Sequence, residues 1–180
     1  MGPQALPVAR CASALRQRIE KAAAMIDPAW WPRDAQTREE LLRFLLNFAR
    51  FEYALKSGGL GRVVSPRTPG ETRIEPDWRG LKSALTDVAV PGHLGAAHRY
   101  LRDQPPYRQT NRDSWSPLAP AEGWGFLIDC VRTVWDNLFA AAAASDRERD
   151  NHLIRYGTDI LLALIDVGPE AVRQRFYPLP

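Results

Sequence analysis

Between Trp124 and Leu138 the apolar residues Trp124, Leu127, Val131, Val134 and Leu138 return every three or four positions. That spacing is one face of an α-helix and is incompatible with a strand, whose side chains change sides at every residue. Phe126 and Cys130 widen the stripe, while Asp129, Arg132, Trp135, Asp136 and Asn137 fall outside it. The helix is predicted over about residues 121–143. A helix this strongly two-faced must bury its stripe, so the rest of the chain has to supply elements that cover it.

The available elements are other helices. Val8, Cys11, Ala12, Leu15, Ile19, Ala22 and Ile26 form a first stripe, stopped by Asp27-Pro28, and Trp30-Trp31-Pro32 reads as an aromatic plug. Thr37-Arg-Glu-Glu40 has the form of a capping box. The helix it opens, through Leu41, Leu45, Phe48, Phe51 and Leu55, is apolar nearly all round and belongs at the centre, with Gly58-Gly59 as its left-handed end. Arg50 and Glu52 inside it call for partners, an internal salt bridge being the expectation.

Residues 59–75 lack periodicity and are expected as a long loop whose Arg62, Arg67 and Arg73 are solvated or touch phosphate. A short helix from Pro76 turns Trp78, Leu81, Leu85 and Val88 inward. Another, at about 93–103, carries His93 and His98; five apart, they are read as surface histidines, not a one-face metal pair. Residues 105–121 are polar and Pro-rich, with Trp115 as an anchor. Ser145-Asp-Arg-Glu148 reads as a second capping box, opening a helix through Ile154, Ile160, Leu164 and Ile165 that Gly168-Pro169 ends; a last short helix covers about 169–176.

No alternating strand pattern appears, so the expected fold class is all-α: a bundle of two or three long antiparallel helices and several short ones. The predicted organisation is an arm and helix over 1–35 and one globular unit over 36–180.

A hydrophobic content of 45% suffices for a core, and no apolar run approaches the roughly 18 residues of a membrane span. The first residues lack the pattern of a signal peptide, and Cys11 and Cys130 are isolated, so a cytoplasmic protein with buried free thiols and no membrane partner is expected. The charge of +3 is carried almost wholly by arginine, which is compatible with RNA. With no zinc spacing and no phosphate-binding loop, neither metal nor cofactor is expected.

Four segments, in order, resemble one group of bacterial HEPN proteins: Leu45-Leu-Asn-Phe-Ala-Arg-Phe-Glu-Tyr-Ala-Leu-Lys56 before Gly58-Gly59, Glu75-Pro-Asp-Trp78, Tyr100-Leu-Arg-Asp-Gln-Pro-Pro106, and Val131-Arg-Thr-Val-Trp-Asp-Asn-Leu-Phe139. The resemblance covers about residues 40–168 and implies a HEPN-like helical bundle that forms homodimers. It further implies a metal-independent endoribonuclease of a toxin–antitoxin or phage-defence system, with RNA as substrate and an antitoxin or defence protein as a further partner.

The family signature is an arginine, often followed by Asn or Asp, and a histidine with four residues between the two. Histidine titrates near neutrality and can take the 2′-hydroxyl proton, while the guanidinium fork matches phosphate oxygens. Here Trp135 stands in the arginine's place and Ala140 in the histidine's, with Asp136 and Asn137 still fitting. The family's Gly-Gly-Lys continuation is replaced by Ala141-Ala-Ala143. The implied enzyme is therefore impaired as written, by natural degeneration or by substitution. The alternative is a non-catalytic HEPN-like module that binds RNA, a nucleotide or a protein partner. A second arginine–histidine spacing, Arg147 to His152, offers a variant site beside Asn137. A dimer interface is expected around the end of the 121–143 helix and the helix after Ser145, with Trp135 buried in it.

Overall fold

The computed structural model describes residues 34–64, 72–111, 114–139 and 147–177. The 8–26 stripe, Cys11, Trp30, Trp31, Arg67, Ala140–Ala144 and Ser145 lie outside these residues. Three long helices dominate: α1 (Ala35–Ser57), α4 (Gly123–Phe139) and α5 (Arg147–Val167). Shorter ones are α2 (Trp78–Ala84), α3 (Gly95–Asp103, preceded by a 3₁₀ turn at Gly92–Leu94) and α6 (Glu170–Phe176).

The fold is mainly helical but not wholly so. The 59–75 region holds an antiparallel hairpin, β1 (Gly61–Val64) with β2 (Arg73–Pro76), and the 105–121 region a second, β3 (Tyr107–Asn111) with β4 (Ser114–Pro117). The first was expected as a long loop, and no strand was expected in either. Four- and five-residue strands that are mostly exposed have no reason to alternate apolar with polar, so they leave no period-two signal. In the first hairpin Arg62 pairs with Glu75 and Val63 with Ile74. Its two ends are closed by Leu60, whose N–H donates to the Leu55 carbonyl at 2.9 Å and whose carbonyl accepts from the Asp77 N–H at 2.7 Å. The hairpin is thereby rooted where α1 stops and α2 starts.

The central helix α1 packs most extensively on α5 and α6. It begins two residues before the Thr37 box: Asp34 is the N-cap, its carboxylate accepting from the Thr37 N–H at 2.7 Å. That bond holds the Asp34 carboxyl below its usual range. At the other end the left-handed residue is Gly59 (φ 92°), while Gly58 is needed for space: a Cβ there would lie 2.9 Å from the Val172 backbone of α6. A similar close approach occurs at Gly157 in α5, where a Cβ would meet the Phe44 ring at 2.7 Å. The core built around these contacts includes Phe44, Phe48, Phe51, Leu127, Ile128, Ile160 and Leu164, all fully buried.

The expected salt bridge between Arg50 and Glu52 is not how these charges are held. Arg50 donates to the Phe176 carbonyl at 2.7 Å and lies over the Phe176 ring, tying α1 to the end of α6. Glu52 faces the other way, toward Lys56 at 3.9 Å. His98 is not a surface histidine: its side chain is 14% exposed, edge-on to Phe126 and 3.4 Å from Glu122. Val88, expected inward, is exposed. Cys130 is a buried free thiol whose pKa is pushed up to about 12, by burial first and by Asp129 second, so it is no nucleophile.

A candidate ligand groove between two helices and a hairpin

Phe48, Glu52 and Lys56 recur every fourth residue along α1, so they form one ladder on its surface. Arg132, Trp135 and Asp136 stand together on one side of α4 by the same geometry. The β1–β2 hairpin borders the space between these two faces, and the half-open groove measures about 320 Å³.

Its floor is aromatic. The indole of Trp135 stacks on Phe48, centroids 4.1 Å apart and planes 11° from parallel, and Trp78 lies 5.8 Å from the same ring. Trp135 therefore folds against its own bundle beside the first hairpin. The expectation that the chain alone would leave much of it in water is corrected: α1 supplies aromatic surface, and Trp135 is half-buried.

The walls are charged. On the hairpin, Arg62 and Arg73 approach the same carboxylate, Glu75, at 3.5 and 3.0 Å. Arg73 and Glu75 share a face because they are two apart on one strand, and Arg62 is directly across from Glu75. Arg132 lies over Trp78 at 5.3 Å, and Lys56 is the fourth cation. Burial raises the Glu52 carboxyl above its ordinary range; Lys56 opposes this and Asp136 adds to it. Burial likewise raises Asp136, with Arg132 opposing. Four cations thus face three carboxylates across an aromatic floor. The chemistry this can perform is stacking of a planar ring, charge-assisted bonding to an anion, and acceptance of N–H groups. No histidine, cysteine or serine lines it.

The residues carried over from the family signature are divided by the structure. Trp135 and Asp136 line the groove. Asn137 donates its amide to the Tyr107 carbonyl at 2.8 Å. Ala140 lies outside the described residues, and Arg147 is the first residue of α5. His152 packs its ring on Tyr100 at 5.1 Å and Tyr156 at 6.0 Å, while Arg149, one turn earlier, donates to the Pro105 carbonyl at 2.7 Å. Asn137 and His152 are thus each engaged by other groups, and no direct bond joins them into a site.

Lys56, Glu75 and Arg132 were not singled out together by the sequence reading. The fourfold ladder Phe48–Glu52–Lys56 was the available signal, because a charged rung continuing an apolar one marks a helix face that leaves the core. Among the described residues no cluster of His, Cys, Asp or Glu is arranged to hold a metal ion, and no helix is long and apolar enough to cross a membrane. Comparison with known protein families, with characterised proteins and with solved structures finds no match in any of the three.

Proposed function

We propose that this chain is a HEPN-like helical domain that binds RNA or a nucleotide and does not cut it. The observation that carries the reading is the setting of Trp135 and Asp136. At the position where the resemblance calls for a phosphate-binding arginine, an indole stacks on Phe48 and its neighbour's carboxylate lines the same groove, with Arg62, Arg73, Arg132 and Lys56 around them. Base–aromatic stacking combined with a cationic wall is the common solution for holding single-stranded nucleic acid. With no histidine in the groove, the usual acceptor for the 2′-hydroxyl proton is missing there. A bacterial toxin–antitoxin or phage-defence setting, a cytoplasmic location and a homodimeric state follow from the resemblance alone and stand as parts of the same proposal.

The test is fluorescence anisotropy with a labelled single-stranded RNA across a salt series. Binding is expected to weaken with salt at a log–log slope of roughly −1 to −3, as contact with a few phosphates produces. Arg73→Glu, at an exposed strand position, is expected to weaken binding at least tenfold while the RNA stays intact. Undiminished affinity in Arg73→Glu would move the binding site off this groove. The impaired-endoribonuclease reading predicts the same inactivity and is separated by one variant: Trp135→Arg with Ala140→His should then cleave RNA in the presence of a chelator.

A further inference from the structure

We propose that the groove selects a guanine nucleotide unit, free or within an RNA strand: base over Trp135, donor edge on Asp136, phosphate toward Arg62 and Arg73. This rests on the nucleic-acid reading above and adds a base identity to it.

Size comes first. About 320 Å³ is at the small end of ligand sites, which run from about 300 to 1,000 Å³, and suits one nucleotide unit. Charge then orients that unit. The hairpin sets two guanidiniums against the single Glu75 carboxylate, so positive charge is in excess on that side and the phosphate belongs there. On the α4 side Arg132 lies over Trp78 and favours the Asp136 carboxylate electrostatically without closing an ion pair on it. Glu75 and Glu52, by contrast, have Arg62, Arg73 and Lys56 beside them.

A carboxylate with accepting capacity in a groove that takes an anion has to meet the uncharged end of the ligand. An ionised carboxylate accepts and cannot donate. Among the four bases only guanine sets two N–H donors side by side on its Watson–Crick edge, N1–H and the N2 amino group, matching the two carboxylate oxygens. Adenine and cytosine place a ring acceptor beside their amino group, and uracil flanks its N3–H with carbonyls; each turns a lone pair toward the carboxylate. Trp135, adjacent to Asp136 in sequence and in the groove, supplies the stacking surface beside that edge. Burial, which holds the Asp136 proton more tightly, makes the selection pH-sensitive on the acid side.

The experiment titrates the protein with GMP, AMP, CMP, UMP, guanosine and inorganic phosphate. In parallel it uses RNA pentamers of adenosine whose central residue is G, A, C or U; calorimetry follows both. GMP or the G-centred pentamer is expected to bind about tenfold or more tighter than its counterparts, the scale of one bidentate base contact. Preference confined to the pentamers assigns the unit to RNA, and preference confined to GMP assigns it to a free nucleotide. Asp136→Asn, isosteric and at a partly exposed position outside the core, is expected to erase the preference while leaving binding of the other bases in place. Arg62→Ala with Arg73→Ala is expected to weaken all phosphorylated ligands alike and to leave guanosine unchanged. Thermal melts of both variants verify folding. Equal affinity for all four bases, or a preference that survives in Asp136→Asn, overturns the guanine assignment and leaves the nucleic-acid reading standing. Absence of binding by every nucleotide and every pentamer overturns both.

Discussion

Trp135 and Phe48 lie ring on ring, 4.1 Å between centroids and 11° from parallel, joining the end of α4 to the middle of α1. Phe48 is buried while Trp135 is half-buried, so the pair belongs at once to the core and to the groove floor. Replacing Trp135 therefore acts on stability as well as on binding. Trp135→Ala is expected to cost about 2 kcal/mol from lost burial and stacking, read as a lower urea midpoint. Trp135→Glu is expected to cost more, because a carboxylate would replace the ring stacked on Phe48. A Trp135→Glu protein as stable as the parent would contradict this packing.

Gly157→Ala offers a cleaner test of the α1–α5 contact. Alanine favours a helix over glycine by about 1 kcal/mol, so on an open face the change would stabilise. Here the new methyl meets the fully buried Phe44 ring at 2.7 Å. Overpacking of this kind costs about 1–3 kcal/mol, so net destabilisation is expected in chemical unfolding. An increase in stability would mean that Phe44 has room to turn aside.

The two groove carboxyls make stability depend on pH in a defined direction. Folding raises the pKa of Glu52 and Asp136 above ordinary values of 4.5 and 3.8, mainly by burial. In the window above those values the folded state holds more protons than the unfolded one, so stability falls as pH rises through it. The cost is complete once both groups are ionised and absent below the unfolded values. Asp136→Asn and Glu52→Gln are therefore expected to raise the melting temperature at pH 7 and to leave it unchanged near pH 3. Equal effects at both pH values would point to a cause other than ionisation.

As it stands the chain is expected to leave total RNA intact in the presence of chelator. Under the proposed HEPN-like reading, Trp135 and Ala140 stand where the reacting arginine and histidine would be. His152, the alternative base, is packed against Tyr100 and Tyr156. Cleavage that vanishes in His152→Ala would restore the Arg147–His152 site to consideration.

The long helices were legible because burial writes itself into the sequence at a period of 3.6 residues. Leu127, Val131 and Val134 are as deeply buried as the stripe required. The hairpins were not, because Val63 is 73% exposed and Ile74 47% exposed, and nothing in local chemistry distinguishes such strands from a loop. The first is rooted by Leu60 and Asp77 meeting across the gap, and the second by Pro106 and Leu118, relations between residues well apart in the chain. The groove shared that fate. Trp135, Asp136, Arg62 and Arg73 each drew notice, but their convergence needed the hairpin to fold back over α1. The start of α1 was misplaced for a simpler reason: Asp34 and Thr37 both suit a cap, and it is Asp34 that accepts the Thr37 N–H.

The contact between Gly58 and the Val172 backbone has a consequence for the timing of folding. The helix that covers the end of α1 is the last one described, more than a hundred residues further along the chain. During synthesis the face of α1 that carries Arg50 and Gly58 stays uncovered until residues 170–176 have left the ribosome. Closure is then a late, long-range event, carried by the Arg50 bond to Phe176 and the Gly58–Val172 approach. A chain stopped at residue 168 would keep its helices but present a greasy seam along α1, the kind of surface to which chaperones and proteases attend.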